Sequence, residues 1–357
     1  MDIYKTHTML MAVRNIAPVT KFLRDRYFPT NDVTDIFATS DVLVDYMDGS
    51  KKLAPFVVPR KGGVAVTRKG YTTKRYAPPF IAPKRELTID DLMRRDFGEA
   101  WYSRQTPGER QVALMMRDFD ELEAMISRRE EAMAAEVLLT NGCVMNHIAD
   151  DLDEPVVAEI HYYDGDENDA VYTPTTAWNA TGATILQDIA AAAELLSARG
   201  LPATDLIVSA DVGMAILADE TILKQLDNRR LQLGDVTPER LPNGVTAIAR
   251  LNAYGHIVTV YSYGETYTSD AGTDTPYLPS GTAIITAPNC GRTVYGAVTQ
   301  IDQEDGAFRT YAERRVPKYY SDAANDIREL YLRCRPLMIP NHKNAWITID
   351  AFKTGDR

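Results

Sequence analysis

Apolar side chains recur at Val112, Met115, Met116, Phe119, Leu122, Ile126, Met133 and Val137, chiefly in steps of three, four and seven, which gather them on one face of a helix. Ahead of them, Thr106-Pro107-Gly108-Glu109 is a capping box with proline at the first helical position. Behind them, Asn141-Gly142 supplies a left-handed stop. The spacing predicts a helix over 107–141, about 50 Å long at ~1.5 Å per residue. That exceeds the width of a small domain, so the helix crosses or edges a lobe as a strut. Its methionines read as core or interface filler.

Shorter periods surround it. Phe56-Val57-Val58 and Val64-Ala65-Val66-Thr67, joined through Pro59–Gly63, predict two strands and a turn. After the helix, Val156–Ile160 lies between acidic clusters and predicts a hairpin with an acidic turn. From about residue 181 the pattern becomes mixed α/β. Thr184 stands as the cap of a helix carrying Ile185, Ile189, Ala192 and Leu196, which Gly200 ends. Leu206–Val208 is a buried strand, and Val212–Leu217 predicts a helix running on toward Leu226. Strands follow at Val245–Ala249, His256–Tyr263, Thr282–Thr286 and Arg292–Val298. The tail predicts a strand pair, Leu330–Cys334 and Ala345–Ile349, with Pro336 and Pro340 marking the turn between.

Length enlarges this picture: 357 residues exceed the usual single core, so two lobes are expected. Composition is ordinary for a globular chain, with 45% apolar and 25% charged residues. A net charge of −11 opposes adsorption to nucleic acid or an anionic membrane. That total hides a segregation. Residues 51–85 hold ten basic side chains and no acidic one, leaving −21 on the other 322 residues. Among the ten are Lys51, Lys52, Arg60, Lys61, Arg68, Lys69, Lys74 and Arg75. A two-stranded ribbon is marginal in water, and this one repels itself, so either something else holds it or it is a solvated loop. Acidic residues cluster at Asp150, Asp151, Asp153 and Glu154, and again at Asp164, Asp166, Glu167 and Asp169. The second cluster lacks the glycine and terminal glutamate of a calcium loop, so it reads as a solvated turn.

Catalytic patterns are missing. There is no nucleophile elbow, no zinc-protease helix motif and no dinucleotide fingerprint, and Gly291–Gly296 continues as Ala297-Val298 where a phosphate loop needs Lys and Ser or Thr. His7, His147, His161, His256 and His342 are dispersed, without metal-ligand spacing. Neither a metal nor a cofactor is expected. Three distant cysteines (Cys143, Cys290, Cys334) form no disulfide framework, and the apolar runs fall short of a membrane span. The expectation is a soluble protein of a reducing compartment with no membrane partner. Three function classes stay open at this point: a protein that docks through its basic ribbon, a nucleic-acid binder stacking bases on Tyr71, Tyr76 and Phe80, and an α/β enzyme centred on 181–295.

The order and spacing of several segments resemble the major capsid proteins of lambdoid tailed phages, the gpE family. They are VTKFLRDRYFPT (19–30), PRKGGVAVTRKGYTTKRYAPPFIAPKRELTIDDLMRR (59–95), QLDNRR (225–230), YGAVTQIDQEDGAFRTYAERRVPKYY (295–320) and RCRPLMIPNHKNAWITI (333–349). The resemblance runs over nearly the whole chain and implies the α+β fold of tailed-phage shells. It would place an N-terminal arm at 1–45, an extended β-hairpin loop at 46–95, a peripheral domain with its spine helix at 96–180 and 296–357, and an α/β axial domain at 181–295. It implies a structural protein rather than an enzyme, assembling as hexamers and pentamers of an icosahedral shell around double-stranded DNA. Portal, scaffold and decoration proteins would be its other partners, and assembly would occur in the bacterial host cytoplasm. On that reading the eight named basic residues of the arm face the eight named acidic residues of a neighbouring copy.

Overall fold

Short helix α1 (Phe22–Tyr27) and the long helix α2 (Pro107–Thr140) form the axis on which the rest is built. The computed structural model describes residues 9, 21–46, 72–88, 90–91, 106–147, 156–163, 165, 167–226, 234–235, 239–241, 244–269, 272–302, 306–322 and 326–353. The capping box of α2 is formed, the Thr106 hydroxyl accepting from the Glu109 amide and the Glu109 carboxylate from the Thr106 amide at 2.8 Å. Asn141 ends the helix at φ 53°, and the chain turns directly into a hairpin, Gly142–His147 with Val156–His161. At ~1.5 Å per residue the 34 residues of α2 span about 51 Å.

Two ends of α2 enter different cores. Met115, Phe119, Leu122 and Ile126 pack on Tyr319, Leu330, Leu332 and Cys334. These belong to a three-stranded antiparallel sheet ordered Val316–Asp322, Ile327–Arg333, Lys84–Leu87, and to the residue just beyond it. Met133, Val137 and Leu138 enter a larger core with Leu337, Ile339 and Trp346. Met116, expected on the apolar face, is 41% exposed; Met115 beside it is the buried one, so the face is narrower at the start of the helix.

The second lobe is a mixed eight-stranded sheet. Its order runs Val171–Tyr172, Ile347–Asp350, Thr282–Thr286, Asp205–Val208, His256–Tyr263, Val245–Ala253, Gly234–Asp235, with Glu239–Arg240 also on Val245–Ala253. The strands Asp205–Val208 and Thr282–Thr286 are buried throughout, as fits the middle of a sheet. Helix α3 (Ile185–Arg199) covers one face with Ile185, Ile189, Ala192 and Leu196. Helices α4 (Ala210–Ala218) and α5 (Glu220–Leu226) follow the strand Asp205–Val208. A sheet lying mostly within 181–295 is therefore completed by strands from outside that range.

Several expectations are corrected. Thr184 makes no side-chain cap to α3. The helix predicted from Val212 toward Leu226 is two helices, because Asp219 is extended (ψ 122°) and its carboxylate accepts the Thr221 and Ile222 amides of α5. Arg292–Val298 is not one strand but Gly291–Tyr295 and Val298–Ile301, which pair with different partners. The tail is not a strand pair: Ile327–Arg333 joins the three-stranded sheet and Ile347–Asp350 the eight-stranded one. Pro336 and Pro340 bound a strand of their own, paired with Gly291–Tyr295. Proline is tolerated there because each sits at a strand end, where one lost amide donor breaks little of the ladder.

Candidate assembly surfaces

A second, charged face of α2 is also buried. Glu123, Ser127, Glu130 and Glu131 follow one another by four, three and one residues, and all four are under 9% exposed. Arg315, from the loop before Val316–Asp322, reaches Glu123 through Nε at 2.6 Å and Nη2 at 3.1 Å. The same guanidinium reaches Glu130 through Nη1 at 2.8 Å and Nη2 at 2.9 Å. Arg24 of α1 donates to Glu130 at 2.8 Å, and the Tyr295 hydroxyl donates to it at 3.0 Å. Two guanidinium groups thus meet two carboxylates, which is what buried charge requires. Burial alone would raise the Glu130 carboxyl, but Arg315 and Arg24 outweigh it and hold the group below its usual range.

Glu131 does a different task. Its two oxygens accept the amides of Leu23 at 2.8 Å and Arg24 at 2.9 Å, donors that the first turn of α1 leaves unpaired. The Tyr263 hydroxyl lies 2.8 Å from Glu131 and 2.9 Å from Glu265, and one hydroxyl proton cannot serve two carboxylates. Burial pushes the Glu131 carboxyl above its ordinary value, which favours its neutral form beside that hydroxyl. Glu265 in turn pairs with Lys21 at 2.6 Å. These contacts bind residues 21–28, α2 and the 312–315 loop into one body. A cavity of about 810 Å³ beside them is lined by Arg24, Arg314 and Arg315 but also Asp25, Asp32 and Glu313, so no ligand of a single charge sign is favoured there.

The expected contact residues divide. Lys51, Lys52, Arg60, Lys61, Arg68 and Lys69 lie outside the described residues, as do both predicted strands of the ribbon. Lys74 and Arg75 lie on Thr72–Tyr76, which pairs antiparallel with Val42–Tyr46. Arg75, its side chain 73% exposed, pairs within the same chain with Asp41, Nε to Oδ2 at 2.7 Å. On the acidic side, Glu167 and Asp169 are exposed, while Asp150, Asp151, Asp153, Glu154, Asp164 and Asp166 lie outside the described residues. The structure brings none of the described cations and acids of the two sets together within one chain. Among the described residues no group of three or more His, Cys, Asp or Glu could hold a metal ion, and no helix is long and apolar enough to cross a membrane.

Over residues 5–351 the sequence matches the family described as phage major capsid protein E. The chain belongs to that family. Capsid protein E members are structural subunits of the phage head, not enzymes, and this chain is a major capsid protein. Its relatives include the major capsid protein of Escherichia phage lambda, 24% identical over 319 residues, covering 88% of this chain and 89% of that protein. The major capsid protein of Enterobacteria phage phi80 is 24% identical over 320 residues, with the same coverage. In fold, this capsid protein is similar to the putative capsid protein of an Escherichia coli CFT073 prophage, with TM-score 0.67 and 18% identity over 97% of this chain and 98% of that one. A phage-related protein of Bordetella bronchiseptica follows, with TM-score 0.53 and 11% identity over 96% of this chain and 95% of that one. The α+β fold expected from the sequence is the one found.

The hydrophobic periodicity of α2 hid the charged face of this capsid protein. Its signal was present as Glu123, Ser127, Glu130 and Glu131 at helical spacing, too regular for a merely solvated surface beside an equally regular apolar stripe. Arg24 and Arg315 carried no such signal, because their role depends on contacts 106 and 192 residues away in sequence.

Proposed function

We propose that this capsid protein closes an icosahedral head as hexamers and pentamers around double-stranded DNA, each copy laying its basic arm over the next. The supporting observation is the register Tyr46↔Thr72. It sets Tyr46 and Thr72 side by side, so the segment between them leaves and re-enters the body at one root. Beyond that root, residues 51–71 carry six cations and no acid, with little apolar surface for a core of their own. An identical neighbour offers what the segment lacks, in the carboxylates of Asp150–Glu154 and Asp164–Asp169. Repeated weak contacts of this kind add up around symmetric rings without any one tight interface. The division into arm (1–45), extended loop (46–95), peripheral domain (96–180 and 296–357) and axial domain (181–295) follows the same reading. So do portal, scaffold and decoration proteins as partners and assembly in the bacterial host cytoplasm. The acidic balance of the chain suits a wall that must not adsorb packed DNA.

Electron microscopy of the purified full-length protein tests this. Rings or shells are expected, and protein that stays dispersed at high concentration would overturn the reading. Reversing Arg60, Lys61, Arg68 and Lys69 to Glu should cut shell yield and flatten its salt dependence. Unchanged yield would remove the arm from the contact.

A further inference from the structure

On the outer face of the three-stranded sheet, charge is balanced at one end and unbalanced at the other. At the balanced end Lys84 lies 3.0 Å from Glu86 and 3.1 Å from Glu329, and the Tyr331 hydroxyl donates to Glu329 at 2.5 Å. Two residues further along the same strand stands Arg333, with Lys318 on the paired strand opposite Tyr331. The bridge Ile81↔Cys334, held by hydrogen bonds of 3.0 and 2.9 Å, sets Phe80 opposite Arg335. Arg335 stacks over the Phe80 ring at 5.3 Å and Arg333 at 6.0 Å, while Arg333 also lies 4.9 Å from the Tyr331 ring. Phe80 itself is 43% exposed.

Two guanidinium groups therefore flank one exposed aromatic ring, with Lys318 next to Arg333, and no carboxylate of the described residues forms an ion pair with any of the three. The Nε atoms of Arg333 and Arg335 are buried without hydrogen-bond partners, the guanidinium groups being held by ring stacking instead. Burial and then the Arg333 charge push Lys318 below its ordinary value, as uncompensated like charges should. A planar guanidinium fixed in this way presents its remaining donors for carboxylate recognition at little entropic cost.

We propose that this patch is the seat for the connection 148–155 of a second copy, Ile-Ala-Asp-Asp-Leu-Asp-Glu-Pro, which rests on the shell reading above. That connection carries Asp150, Asp151, Asp153 and Glu154, no basic residue, and Leu152 among the acids. The match is of pattern as well as sign: an apolar side chain flanked by carboxylates meets an aromatic ring flanked by cations. A duplex DNA backbone would satisfy the cations but leave Phe80 without an apolar partner, and the net charge of −11 opposes its approach. This reassigns Asp150–Glu154 from the basic arm to the patch and leaves the 164–169 turn for the arm.

Two full-length variants test the contact: Lys318→Glu with Arg335→Glu, and Asp150→Lys with Asp151→Lys and Asp153→Lys. Each alone should assemble roughly tenfold less than the wild type at moderate salt, since like charges then face each other. Mixed one to one they should recover even-numbered rings in which the two alternate, seen by native mass spectrometry. Recovery in the mixture requires a contact between copies; a pairing within one chain leaves the mixture as defective as its parts and overturns the proposal. If the first variant fails to fold, Lys318→Gln with Arg335→Gln should show a smaller loss, and high salt should bring the wild type down to the level of that variant; a gap that persists in high salt overturns the charge pairing. Wild-type assembly with indifferent variants overturns this contact alone, whereas a wild type that never associates overturns the shell reading with it. Duplex DNA retained by the wild type and released by the first variant, with assembly unchanged, would assign the patch to nucleic acid instead.

Discussion

Arg315 grips Glu123 with two parallel hydrogen bonds, Nε to Oε2 at 2.6 Å and Nη2 to Oε1 at 3.1 Å, across 192 residues of sequence. The same guanidinium holds Glu130, so one side chain from a loop neutralises two carboxylates on a helix. Removing it leaves both acids buried and unpaired. Arg315→Leu should therefore cost about 3–5 kcal/mol, the range for breaking a buried pair from one side. Urea unfolding of the unassembled chain measures this. A loss under ~1 kcal/mol would place the pair in effective contact with water.

Acid should act through the same cluster with a definite sign. The Glu130 carboxyl is depressed in the folded chain, so its contribution is present above the ordinary value of 4.5 and is lost as pH falls through the folded value. Glu131 runs the other way: its raised carboxyl favours the folded state below that ordinary value, and the benefit fades as pH climbs through the folded value. Glu130→Gln should lower the urea midpoint at neutral pH and give a shallower acid limb than the wild type. Parallel acid limbs for the two proteins would show that Glu130 does not titrate with unfolding.

The apolar face of α2 makes a graded prediction. Phe119 and Leu122 are fully buried, so alanine at either should cost about 2–5 kcal/mol. Met116→Ala, on the exposed edge, should cost less than ~0.5 kcal/mol. Equal losses at all three positions would mean that the exposed edge is covered, by another copy, under the conditions of the measurement.

Two glycines separate close packing from open space. A methyl group at Gly291 would enter the Phe28 ring and come 2.7 Å from the Ile339 carbonyl oxygen. Gly291→Ala should cost about 1–3 kcal/mol through forced overpacking. At Gly108, in the first turn of α2, nothing lies within 4 Å of the added atom, and alanine should be neutral or stabilising by up to ~1 kcal/mol. Thermal melts of both variants decide this, and a neutral Gly291→Ala would show that the Phe28 ring can move aside.

Elements with a strong local signal were legible in the sequence. The capping box and stop of α2, the strand His256–Tyr263 and the strand Thr282–Thr286 need only their own residues and one buried face. What could not be read was partnership. Ile327–Arg333 and Ile347–Asp350 look alike as strands, yet they complete different sheets because sheet membership is fixed by register with distant segments. The Gly291–Gly296 spacing was a matter of packing: Gly291 leaves room for Phe28, and Gly296 lies where a Cβ would come 2.8 Å from the Ser40 carbonyl oxygen. At the candidate contact surface, sequence gave the sign of each charged cluster but not that Arg75 is already engaged by Asp41. Nor did it show that Arg333 and Arg335 converge on Phe80, which takes a bridge between segments about 250 residues apart.

All three cysteines are free and buried, and burial pushes the thiols of Cys143 and Cys290 up to about 12. At neutral pH the reactive thiolate is then a vanishing fraction of either group. The native chain is accordingly close to silent toward maleimides and mild oxidants. A single cysteine introduced at an outlying position such as Val33, 89% exposed, would be the one site that takes a dye or a crosslinker, with no need to strip the natural sulfur atoms first.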